Sequence, residues 1–85
     1  MGKYRVEVKA SAVKEIKKLP SKDLKRILAA ISALSDDPRP QGSVKLSGEE
    51  KYRLRCGNYR VLYTIEDQVL VVYVVKVGHR KDVYR

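Results

Sequence analysis

The chain has 85 residues and a formal net charge of +9, from 19 Lys and Arg against 10 Asp and Glu. At this length roughly 60–65% of the unfolded surface can be buried, which suits one domain over residues 1–85 with a modest core and little to spare for a deep pocket. One cysteine and one histidine exclude an internal disulfide and leave few ligands for a metal site, and no apolar run approaches the roughly 20 residues that cross a bilayer.

No metal or cofactor is therefore expected, and a single thiol suits a reducing cytoplasm. Residues 1–10 alternate charged and apolar types and lack the continuous hydrophobic segment of a signal peptide. The excess of positive charge favours a polyanionic partner, through phosphate contacts and counterion release.

Residues 3–9 alternate, with Tyr4, Val6 and Val8 on one side, and predict a strand. Ser11 is placed to cap a short helix ending before Pro20, in which Ala12, Ile16 and Leu19 share a face. Ser21 is placed to cap a second helix, where Leu24, Ile27, Leu28, Ile31 and Leu34 follow the spacing of a core-facing stripe. Asp36-Asp37-Pro38 ends it, because proline disfavours helical geometry in the residue before it. A connection as short as Leu19-Pro20-Ser21 predicts an antiparallel helix hairpin.

After a loop over residues 39–43 the period changes. Residues 51–55 alternate strictly, Cys56-Gly57-Asn58 reads as a tight turn, and residues 59–65 are rich in β-branched and aromatic types. Glu66-Asp67-Gln68 makes a second turn. Residues 69–77 then form a near-continuous apolar strand suited to the middle of a sheet. The expected architecture is α+β, in the order β-α-α-β-β-β, with the helix hairpin on one face of an antiparallel sheet.

Strand alternation points Lys51, Arg53 and Arg55 to one face and Tyr52 and Leu54 to the other. Arg60 follows just past the hairpin turn, and nothing acidic lies between Lys51 and Arg60. The last strand ends in Gly78-His79-Arg80, with Tyr84 four residues on. Folded as a meander, Arg53, Arg55, Arg60 and Arg80 converge on one cleft with Lys51 at its rim, and Arg60 and Arg80 are expected to face solvent there. Guanidinium groups beside a tyrosine suit a phosphodiester and its neighbouring base. The blander account is a charged edge strand that resists pairing with other chains.

The segments Lys45-Leu46-Ser47-Gly48, Tyr52-Arg53-Leu54-Arg55, Gly57-Asn58-Tyr59-Arg60-Val61-Leu62-Tyr63 and Val77-Gly78-His79-Arg80, with Val83-Tyr84, together resemble the RelE branch of the RelE/ParE toxin superfamily. The resemblance covers almost the whole chain and implies a RelE-like fold. It also implies the toxin of a type II toxin–antitoxin pair, a ribosome-dependent endoribonuclease that cleaves mRNA in the A site. The RNA's own 2′-hydroxyl attacks the adjacent phosphate without a metal. Carried over by position, the catalytic set is Lys51, Arg53, Arg60, Arg80 and Tyr84, while Arg55, Lys45, Lys81 and Arg85 are candidate RNA contacts. An arginine stays charged at ordinary pH, so Lys51 is the better candidate to help remove the 2′-proton. The implied partners are a cognate antitoxin, ribosomal RNA and mRNA, with no membrane; a toxin–antitoxin complex is also expected to bind operator DNA.

Other residues have simpler accounts. His79, the one histidine, has an ordinary pKa suited to a general base, but strand parity beside Arg80 points it away from the cleft and favours a strand-end role over catalysis. Cys56 reads as a spectator thiol, and Tyr52, Tyr63 and Tyr73 as packing in or around the core. Lys14, Lys17, Lys18, Lys22, Lys25 and Arg26 make a basic helix surface, solvated or set against ribosomal RNA. Two alternatives stay open: a ParE-like toxin that inhibits DNA gyrase without cutting RNA, and a degenerate RNA- or antitoxin-binding module.

Overall fold

Two tight turns fold the C-terminal half back on itself as the alternating pattern requires. The computed structural model describes residues 2–46, 48 and 50–79. Its elements are β1 (Arg5–Val8), α1 (Ala10–Lys17), α2 (Ser21–Ala33), β2 (Ser43–Lys45), β3 (Lys51–Cys56), β4 (Tyr59–Glu66) and β5 (Val71–His79). The fold is α+β, with both helices packed on a five-stranded sheet ordered β1-β5-β4-β3-β2. The meander β3-β4-β5 is antiparallel throughout. Two features go beyond the expectation. The short strand β2 pairs antiparallel with β3, and β1 lies parallel to β5, so the sheet is mixed.

The core lies between the helices and one sheet face. Ala12 and Ile16 of α1 and Ile27, Ile31 and Leu34 around α2 meet Leu54, Val61, Tyr63, Val72, Val74 and Val77. Leu28 is a correction to the expected stripe. It is 48% exposed, because the full stripe turns further around the helix than the sheet can cover.

Neither serine caps its helix. The cap positions fall on Lys9 and Pro20, whose backbones are extended, and no side-chain cap bond forms. The chain comes straight off a strand into α1: the Lys9 N–H donates to Val74 O at 2.9 Å, while Lys9 O accepts from Val13 N. Pro20, with φ fixed near the helical value, starts α2 equally abruptly. Ser11 and Ser21 thus sit inside their helices.

Two turn boundaries also move. Cys56 is the last residue of β3 and is buried, leaving Gly57-Asn58 as the turn. Gly57 has φ +60°, a backbone conformation that favours glycine. Leu70 has φ +55°, which ends the turn and delays β5 to Val71. Val69 and Leu70, expected in the strand, are exposed.

The helix α1 continues where β1 stops along the edge of β5. Glu15 replaces the missing strand there: its Oε1 accepts the Val77 N–H at 3.2 Å, and its Oε2 pairs with Lys76 Nζ at 3.5 Å. In β5 the register shifts, so that Leu62 pairs with Lys76 while Tyr63 pairs with Val74. Val75 is the extra residue of this bulge, which turns both Val75 and Lys76 toward the face away from the core.

At the opposite end of the sheet, Arg39 holds Asp67 bidentately at 3.2 and 2.8 Å, and the Tyr4 hydroxyl donates to the same carboxylate at 2.7 Å. These donors pull the Asp67 carboxyl down to about 2 from an ordinary 3.8. A lowered folded-state value contributes stability above the unfolded value and loses it as pH falls toward the folded one. The melting temperature should therefore drop between about pH 4 and pH 2. Asp67→Asn should flatten that limb in thermal melts; an unchanged acid limb in the variant would mean the network adds nothing to folding.

Candidate functional site

Strand parity and register build the face away from the helices. Across β3 and β4, Arg55 pairs with Arg60, Arg53 with Leu62 and Lys51 with Thr64. Directly paired residues on antiparallel strands share a face. The register therefore stacks Arg55 beside Arg60 at one end, Arg53 beside Leu62 next, and Lys51 beside Thr64 last. On β5 the row continues with Gly78 opposite Arg60 and Lys76 opposite Leu62. Gly78 brings no side chain to the arginine pair.

Arg60 departs from expectation. Its side chain is not solvent-facing: it is 6% exposed and is the one buried charged residue among the described residues. Its Nη1 donates to Tyr59 O at 3.2 Å, and its Nε finds no hydrogen-bond partner among the described residues. Its cross-strand neighbours are Arg55 on β3 and Gly78 on β5, a pairing that a one-strand pattern could not show. The ion pairs among the described residues are Arg5–Glu7, Arg39–Asp67, Lys45–Glu50 and Lys76–Glu15. No carboxylate among them is within pairing distance of Arg55 or Arg60. A guanidinium buried without an anion is unfavourable for folding, and Arg60, with no such anion among the described residues, is a functional candidate.

The remaining candidates sort by position. Arg53 is half-buried between the arginine pair and Lys51, and Lys51 is exposed at the end of the row. Lys45 is set apart. It pairs in register with Tyr52, so it shares the helix-side face, where its Nζ lies 3.5 Å from Glu50 Oε2. Arg80, Lys81, Tyr84 and Arg85 lie outside the described residues. His79 pairs in register with Tyr59 and meets its ring edge-on at 5.8 Å, on the face opposite Arg60, as parity predicted.

Tyrosine placement also divides. Tyr63 is wholly buried, stacks on Tyr52 at 5.7 Å and donates to Pro38 O at 2.8 Å. Tyr73, expected around the core, is instead 36% exposed. It pairs with Thr64, and parity puts it on the arginine side. Tyr59 is anchored to α2 through a 3.1 Å bond to Asp23, and burial raises its phenol above the ordinary value. Burial likewise raises the Cys56 thiol and keeps it protonated. Sequence reading missed Leu62 and Lys76 as members of the row, though alternation from Arg60 reaches Leu62 and alternation back from Gly78 reaches Lys76. Among the described residues no three His, Cys, Asp or Glu side chains come together as a metal site would need.

The fold is thus a small α+β domain with helices on one face of a mixed sheet and an arginine pair on the other. Residues 6–84 match the family model described as "ParE toxin of type II toxin-antitoxin system, parDE". The chain superposes with TM-score 0.84 and 30% identity on a chain of the archaeal RelE–RelB complex from Pyrococcus horikoshii, covering 94% of this chain and 98% of that one. Toxin RelG of Mycobacterium tuberculosis is 34% identical over 86 residues, 96% of this chain and 97% of the relative. The mRNA interferase toxin RelE of Escherichia coli is 31% identical over 81 residues, 92% of this chain and 84% of the relative. The chain belongs to the RelE/ParE family of type II toxins and is RelE-like within it.

Proposed function

We propose that this chain is an endoribonuclease toxin that cuts mRNA in the ribosomal A site, by metal-free attack of the RNA's own 2′-hydroxyl on the adjacent phosphate. The observation that carries the reading is the facing pair Arg55 and Arg60, the second buried and with no carboxylate partner among the described residues. A phosphodiester gains a second negative charge's worth of density as the 2′-oxygen attacks. Fixed guanidinium groups stabilise that charge without reorganising. Arg53 extends the positive row, and Lys51 at its exposed end is the proposed group that assists loss of the 2′-proton. The bond from phosphorus to the 5′-oxygen breaks, leaving a 2′,3′-cyclic phosphate and a 5′-hydroxyl. By the family pattern, Arg80 would stand by the departing 5′-oxygen and Tyr84 would stack on the target base.

The 31% identity to a relative named an mRNA interferase supports this chemistry. Solved neighbours bound to RelB support an antitoxin partner. The exposed edge strand β2 and the helix surfaces are candidate docking sites for it.

The test uses purified protein and programmed ribosomes. Cleavage should map to the A site and give 5′-hydroxyl ends, and a single 2′-O-methyl group at the cut position should abolish it. Naked mRNA should resist, because an 85-residue chain has little means to hold RNA in line, an orientation effect worth up to about 7–11 kcal/mol. Efficient cutting of naked message would sink ribosome dependence. Failure to cut on ribosomes, together with inhibition of gyrase supercoiling, would favour the second reading, which the match to the ParE family keeps in play.

A further inference from the structure

The arginine-side face of the sheet does not end at Lys51. A cleft of about 540 Å³ opens beside it, floored by Leu62, Val75 and Lys76 of the sheet and walled by α1. Lys9, Lys14 and Lys18 line the α1 side, and Lys51 joins the cleft to the row of Arg53, Arg55 and Arg60. Lys14 and Lys18 are four residues apart on one helix, so they project from the same face.

Glu15 is the only acid among the described residues lining this cleft, and its carboxylate is already committed. One oxygen accepts the Val77 backbone N–H and the other pairs with Lys76. Lys9, Lys14, Lys18 and Lys51 are all exposed, and none makes an ion pair with another described residue. Like charges brought around one concavity repel each other, an arrangement that an added polyanion relieves.

We propose that this cleft is a second RNA-binding track, in which Lys9, Lys14 and Lys18 hold backbone phosphates of the strand that leaves the arginine pair past Lys51. The inference rests on the reading of the chain as an RNA-cleaving toxin and adds the path of the substrate beyond the scissile bond. Ammonium groups on flexible stems act as point charges on successive phosphates without reading bases. The track therefore contributes affinity and register and no sequence preference. An acidic protein segment is the competing occupant. The continuity with the arginine row through Lys51 favours a nucleic acid strand, which carries a charge at every nucleotide.

The experiment measures equilibrium binding of the purified full chain to a 2′-O-methyl RNA oligonucleotide, which cannot be cleaved, over a range of salt. Removing one lysine that neutralises a phosphate should lower the slope of log affinity against log salt by about 0.7 for a single strand. Lys14→Gln with Lys18→Gln should lower it by about 1.4 and weaken oligonucleotides of different sequence alike. The matched control is Lys17→Gln with Lys22→Gln, two exposed lysines outside the cleft that remove the same net charge. Its slope should change much less, and thermal melts should show both variants folded.

The proposal is overturned if the wild type does not bind the oligonucleotide or if the cleft pair leaves the slope unchanged. Equal effects of the two pairs, meaning diffuse charge alone, would overturn it too. So would loss of binding to an acidic peptide with RNA binding intact. If the wild type proves unable to cleave on ribosomes but the slope falls only for the cleft pair, the track stands and the enzymatic reading falls.

Discussion

Arg60→Met is expected to lower single-turnover cleavage on ribosomes by about 10²–10³-fold while leaving the melting temperature unchanged or raised. Two opposing properties of one side chain give this result. Arg60 is 6% exposed, and its Nε has no hydrogen-bond partner among the described residues. A desolvated charge is repaid only by a well-placed counter-ion, and none stands beside it among the described residues, so its burial is expected to work against folding. Methionine has similar length and no charge, so it fills the space and removes the penalty. Alanine would confuse the test by leaving a cavity. The same substitution takes away a donor held rigidly beside Arg55 for the phosphate. Loss of one such donor typically accounts for about 10²–10³ in rate. A variant that cuts at the wild-type rate would remove Arg60 from the proposed site. One that cuts poorly but melts much lower would show instead that the guanidinium is a folding element.

The second large effect is expected at Tyr63. Its side chain is fully buried, and it couples three parts of the fold: β4, the ring of Tyr52 on β3, and Pro38 in the loop after α2. Tyr63→Ala should cost about 3–5 kcal/mol, by loss of an aromatic side chain and the cavity left behind. A domain of this length has about 4–13 kcal/mol in total at the usual stability per residue. The melting temperature should fall by roughly 12–40 °C. Tyr63→Phe keeps the ring and leaves the Pro38 carbonyl without its donor, which should cost about 1–3 kcal/mol. A melting temperature for the alanine variant within a few degrees of wild type would contradict this account of the core.

The two residues differ in how far the chain pattern reveals them. Tyr63 lies in an alternating, β-branched segment, so its burial followed from the pattern. Arg60 lies in the same segment and alternates with it, so its side of the sheet also followed. Its burial did not. On that face the cross-strand neighbours of Arg60 belong to β3 and β5, and only the register Arg55–Arg60–Gly78 says which they are. Lys45 fails for a related reason. The loop expected at residues 39–43 leads into a short strand, and pairing with Tyr52 turns Lys45 away from the arginine row.

Local chemistry determined the elements. Period-two and period-3.6 patterns, one proline between the helices and a glycine turn between β3 and β4 set the α+β class and the antiparallel meander. They also set the succession Lys51, Arg53, Arg55 on one face. Each of these depends on residues within a few positions of each other, where side-chain spacing and backbone preference act directly.

What only the tertiary structure decided involves pairs far apart in the chain. Such pairs include β1 lying parallel to β5, Glu15 capping the Val77 N–H, and Arg39 reaching Asp67. The lysine-lined cleft between α1 and the sheet is of the same kind. No periodicity encodes them. Their energies come from desolvation and shape at surfaces that exist only once the sheet and helices have met. A bulge of one residue at Val75 changes the parity within β5, so that Tyr73, Val75 and Lys76 all come to the arginine side, which strict alternation along one strand does not foretell.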